Sequence, residues 1–167
     1  MKVLNLIMAL VLSSMALNVG AAGQLDNYKL VVIKNALASG SIIGGDYDKS
    51  ITQLTQTIQQ SPDEQYESSM SLCAAKIMIG ALPAAITACD NAVSLIGQTR
   101  QYQTIKDKYK ALALNNRAIV KHLNNDSNGA YQDFNQAISL VNEPLIVDNF
   151  QWFSSQLVKQ QLATTQR

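Results

Sequence analysis

Few residues of this 167-residue chain are equipped for chemistry, and they are thinly spread. The chain holds two cysteines, Cys73 and Cys89, and one histidine, His122. Two thiols and one distant imidazole do not match the ligand spacings of a metal site, so none is expected. The cysteines stand too far apart for the C-x-x-C of thiol exchange. His122, beside Lys121 and Asn124-Asn125, lacks a recognisable nucleophile or orienting carboxylate, and reads either as a solvated helix-surface residue or as a contact in a groove. Asp126 and Asp133 are spaced as a helix cap and a helix-surface charge, not as an acid–base pair. Gly44-Gly45 follows no strand pattern and so is a turn signal, not a phosphate loop. The expectation is a chain without catalytic residues, cofactor or metal, and the chemistry left to explain is that of the two sulfurs.

The ends suggest where those sulfurs reside. Met1-Lys2, an apolar run from Val3 to Leu17, and the small residues Val19-Gly20-Ala21-Ala22-Gly23 have the layout of a secretory signal peptide over residues 1–22, cut after Ala21 or Ala22. The apolar run is short for a membrane span, and no second one follows, so no integral membrane segment is expected after cleavage. The mature chain, 23–167, has the size of one domain. The full chain carries a net charge of +1, and the loss of Lys2 leaves it near neutral, with no basic stripe for nucleic acid. An exported chain in the periplasm, or secreted, meets an oxidising environment, where a Cys73–Cys89 disulfide is the default; two buried free thiols are the alternative.

The elements that position these residues read as helical hairpins. Leu25, Tyr28, Val31-Val32 and Asn35 to Leu37 recur at helical spacing over 25–39. Gly44-Gly45-Asp46 is the turn, Asp46 the cap of the next helix, and Tyr47, Ile51, Leu54 and Ile58 its apolar face, closed by Pro62. A second hairpin pairs 64–79 with a helix entered through Pro83 and carrying Ala85, Cys89, Ala92 and Val93, stopped by Gly97. Cys73 and Cys89 each lie eight residues from Ala81 in that turn, at equal height on the two helices. After a polar insertion, 99–110, a third hairpin pairs 105–123 with 127–141 across Asn124-Asn125-Asp126-Ser127. Pro144 ends it, and a last helix, 146–163, lines up Ile146, Phe150, Phe153 and Leu157.

These units resemble tetratricopeptide repeats, helix–turn–helix modules of about 34 residues. The resemblance places units near 31–64, 66–99 and 111–144, with 146–163 as the capping helix. Ala38, Tyr47, Leu54, Ala85, Ala92, Ala118, Ala130, Phe134 and Ala137 fall at repeat-core positions, with Cys73 and Cys89 at two positions that pack together in the family. Ser50 and Thr57 depart from the pattern, and the step from unit two to unit three is longer than a repeat. The resemblance implies an all-α stack of right-handed helical hairpins. It also implies a non-enzymatic scaffold for a protein or peptide partner, bound along the first helices of the units. Asn35, Ser39, Met70, Asn115, Ile119 and His122, with Val32, Glu67 and Ala74, match that groove. Asn116-Arg117 resembles part of a carboxylate clamp whose other members are missing. Trp152, between Phe150 and Phe153, is read as capping the last hairpin, or as the edge of a homodimer. A thiol-dependent enzyme is the remaining alternative.

Overall fold

The computed structural model describes residues 25–165, which form seven α-helices, one 3-10 turn and no β-strand. The expected signal segment, 1–22, lies outside the described residues. No described helix is long and apolar enough to cross a membrane.

The first two helices are short: α1 spans Ser39–Ile43 and α2 spans Tyr47–Gln56. Gly45 turns between them at φ 82°, and the Asp46 carboxylate accepts from the Lys49 N–H at 3.2 Å. The helix does not run on to Pro62. Thr52, Thr55 and Thr57 donate their hydroxyls to the carbonyls of Asp48, Ile51 and Gln53, a local bonding that competes with helix propagation. Thr57 is already extended, and Ile58, expected on the apolar face, is 84% exposed. Pro62 instead opens the next helix.

That helix, α3, spans Pro62–Met78. Ser61 caps it, and Glu64 reaches back to the Ser61 N–H at 3.3 Å, so each residue satisfies an otherwise orphaned donor of the first turn. Gly80, at φ 72°, turns the chain into α4, Leu82–Leu95. A 3-10 turn at Ile96–Gln98 and four non-helical residues lead to α5, Gln103–Leu123. Asp126 caps α6, Ser127–Leu140, through the Gly129 N–H at 2.9 Å. The final helix, α7, spans Pro144–Thr165.

Helices α3 and α4 pack as one hairpin and α5 and α6 as a second, with α2 against α3 and α7 against α6. Small residues at the crossings allow the close approach: Ala75, Ala85, Ala92, Ala118, Ala130 and Ala137 are fully buried, and Ala85, Ala118, Ala130 and Ala137 share a cluster with Phe134 and Phe153. The disulfide joins Cys73 to Cys89 with the α carbons 4.9 Å apart, and both residues are buried. The equal-height reading of the two positions therefore holds.

Residues 25–39 are the largest departure from expectation. Beyond Leu25 and its turn, 28–33 form no helix, and 34–38 are turns. Ala38 sits ahead of α1 in the left-handed conformation, φ 64°, and not inside a helix. Asn35 is exposed and also left-handed, φ 68°. The first unit thus has no long first helix, because the backbone of this segment is held elsewhere.

Candidate functional site

Helix α5 carries Asn115 and Asn116 in its middle, where asparagine is a poor helix former with no local benefit. Both are fully buried. Their side chains meet the segment 28–33, which crosses the face made by α3, α5 and α7. The Val31 N–H donates to Asn116 Oδ1 at 2.9 Å, and Asn116 Nδ2 donates to the Val31 carbonyl at 2.8 Å. Two residues earlier, the Lys29 N–H donates to Asn149 Oδ1 at 2.9 Å, and Asn149 Nδ2 donates to the Lys29 carbonyl at 2.9 Å. Asn149 Nδ2 also donates to Asn115 Oδ1 at 2.8 Å, and Asn115 Nδ2 reaches Asn116 Oδ1 at 3.3 Å, so the three amides form one network.

The spacing defines the segment's conformation. In an extended chain the N–H and C=O of one residue point the same way, and residues i and i+2 point to the same side. Lys29 and Val31 do both. The segment behaves as a β-strand whose ladder partner is a row of side-chain amides. Its own side chains divide between two clusters. Tyr28, Leu25 and Leu30 pack with Ile119, Leu123 and Phe153, while Val31 and Ile33 pack with Tyr66, Met70 and Ala113.

Of the groove residues expected from the sequence, Met70, Asn115, Ile119 and His122 lie under this segment, all buried. Ser39 is buried at the start of α1, and Asn35 stands apart in the exposed turn. Asn149 is a further residue of this site, outside the groove positions that the repeat resemblance implies. Its signal was an asparagine on the apolar side of the last helix, one residue before Phe150.

His122 is 4% exposed, so the solvated reading does not hold. The edge of Tyr28 faces its ring at 6.0 Å and Phe153 at 5.0 Å. Among the described residues neither imidazole nitrogen has a hydrogen-bond partner, and the buried Tyr28 hydroxyl has none either. Burial lowers the His122 pKa below its ordinary 6.5 and raises that of the Tyr28 phenol, so both are neutral near pH 7.

Arg117 points away from this face. Its guanidinium forks onto Asp133 with two bonds of 2.7 Å and reaches Asp90 at 3.0 Å, while Lys121 holds Asp133 at 2.8 Å. The Asp133 hydrogen bond is the first cause of a raised Arg117 pKa. Asp133, expected as a helix-surface charge, is thus a buried anchor between α5 and α6. Asn116 and Arg117 serve different faces and form no carboxylate clamp.

Trp152 is half-buried, with Lys159 Nζ 5.5 Å from its ring centroid. Phe150 and Phe153 stack at 6.3 Å, and each lies against Phe134. Both cysteines are in the disulfide, leaving no free thiol. Among the described residues no group of His, Cys, Asp or Glu could hold a metal ion. No protein-family model, curated protein or solved structure matches this chain.

Proposed function

We propose that the chain is an exported, non-enzymatic scaffold that binds a protein or peptide on the face of α3, α5 and α7. One observation carries the reading: Asn116 and Asn149 each give a donor and an acceptor to the main chain of an extended segment. Such amides recognise polypeptide as polypeptide, in the manner of strand addition. The resemblance to tetratricopeptide repeats supports the same face. Export is supported by the disulfide and by the apolar, small-residue pattern of residues 1–22.

The test is a photo-crosslinking residue at Val32, half-exposed on the segment, in cells that export the protein. A discrete crosslinked protein is expected, and its yield should fall when Asn116 and Asn149 are both replaced by alanine. No product, or one indifferent to both asparagines, would sink the reading.

A homodimer through the last helix is a second reading, favoured by its exposed apolar residues beyond the half-buried Trp152. Val158 and Leu162 on α7 are 55% and 60% exposed. Sedimentation of the wild type against Val158→Glu/Leu162→Glu decides it; a wild-type monomer at all concentrations removes it.

A further inference from the structure

We propose that residues 28–33 are a built-in competitor for the groove, and that its partner is a second extended polypeptide taking the same asparagine bonds. The inference rests on the binding reading above. Every hydrogen bond from the asparagines to the segment goes to main chain, at Lys29 and Val31. Nothing in that network depends on which side chains the occupant carries.

The resident segment fits imperfectly. Its Tyr28 ring fills the space beside His122, yet both imidazole nitrogens and the Tyr28 hydroxyl stay buried without partners. Buried polar groups left unpaired weaken a complex relative to one that pairs them. An incoming chain whose aromatic ring at the Tyr28 position carries no hydroxyl keeps the packing against His122 and buries one unpaired group fewer, so it binds better than the resident. Leu30, Val31 and Ile33 are only half-buried, so apolar side chains of varied size fit those positions. The one ion pair from the segment, Lys29 with Asp148, is more than half exposed at both ends and adds little. The partner is thus an extended segment with a phenylalanine-like ring two positions before an apolar residue.

Fluorescence anisotropy with a labelled synthetic peptide of residues 25–34 tests the idea on the full chain. Val31→Pro removes the N–H given to Asn116 while remaining compatible with an extended backbone. We expect the peptide to bind Val31→Pro at least tenfold more tightly than the wild type. Adding Asn116→Ala should remove that gain, and the same peptide carrying Tyr28→Phe, which keeps the ring and drops the unpaired hydroxyl, should bind more tightly than its parent. A folded Val31→Pro protein that binds no better than the wild type overturns the proposal, as does binding indifferent to Asn116. Hydrogen exchange of the wild type is the independent measurement. The Lys29 and Val31 amides should exchange by a local opening while the α5 amides stay protected. Exchange of all of them together, only on global unfolding, makes the segment a fixed part of the fold and overturns the proposal. If these arms fail while the Val32 crosslink persists, a partner binds without displacing the segment, and the scaffold reading stands alone.

Discussion

Asn116 and Val31, 85 positions apart, exchange two hydrogen bonds, one accepted and one donated by the same side-chain amide. The pair reproduces with one side chain what two strands do along a ladder. Asn116→Ala leaves the Val31 N–H and C=O without these partners, at a cost of about 1–3 kcal/mol. Asn116→Asp keeps the acceptor and sets a carboxylate oxygen against the Val31 carbonyl, so it should cost at least as much. Urea unfolding of both variants checks this; an unchanged midpoint would show that the segment contributes no stability.

The disulfide closes a loop across the α3–α4 turn, its two cysteines 16 positions apart. In the chain-entropy model this stabilises the fold by roughly 3 kcal/mol. Cys73→Ala/Cys89→Ala should lose about that much in denaturant titration, and thiol titration of the native wild type should find no free sulfhydryl.

His122 makes stability depend on pH. Its folded pKa lies below the unfolded value of 6.5 because burial disfavours the imidazolium. The unfolded chain therefore binds the proton more readily. The contribution of the neutral ring is fully present above about pH 6.5 and is lost as pH falls towards the folded pKa. The slope from this group is at most about 1.4 kcal/mol per pH unit. His122→Phe should flatten the pH dependence of the urea midpoint between pH 7 and 5. An equally steep curve in the variant would assign the dependence to other groups.

The side chain of Asp133 is 4% exposed and that of Arg117 18%. Removing Arg117 takes both fork bonds from the buried Asp133 and leaves it the single ion pair with Lys121. Arg117→Ala should destabilise the fold by about 3 kcal/mol, while Arg117→Ala/Asp133→Ala should lose less than the two single variants combined. Simple additivity would mean that the two residues act independently.

Ala38 holds φ 64°, a conformation that costs a non-glycine residue about 1–2 kcal/mol. Part of that is offset by the greater freedom of glycine in the unfolded chain, so Ala38→Gly should raise stability by about 0.5–1 kcal/mol. A lower melting temperature for this variant would contradict the strain.

Helices α3 to α6 were legible because their determinants are local. Pro83 and Asp126 mark helix starts through their own dihedrals and caps, and the apolar spacing between the ends follows one face; Pro62, expected to close α2, opens α3 instead, two residues before the expected start. The Cys73–Cys89 pairing was legible for the same reason, since the hairpin turn fixes which positions face. Residues 25–39 misled. Leu25, Tyr28, Val31 and Val32 recur at helical spacing, but the backbone groups of Lys29 and Val31 bond to Asn149 and Asn116, far along the chain. A tertiary partner overrode a local period. Two signals pointed the other way: the β-branched run Val31-Val32-Ile33, suited to an extended chain, and adjacent asparagines mid-helix. His122 was ambiguous because burial depends on what covers a face, and the cover comes from a distant segment.

Separation along the chain also orders the steps of folding. The Cys73–Cys89 hairpin closes over a separation of 16 positions and needs nothing beyond α4, so it can assemble before α5 to α7 have packed. The Lys29–Asn149 contact spans 120 positions and must wait for the last helix. The first described stretch of the chain to be synthesised is therefore among the last to find its place, and in the interval the asparagine-lined face stands open.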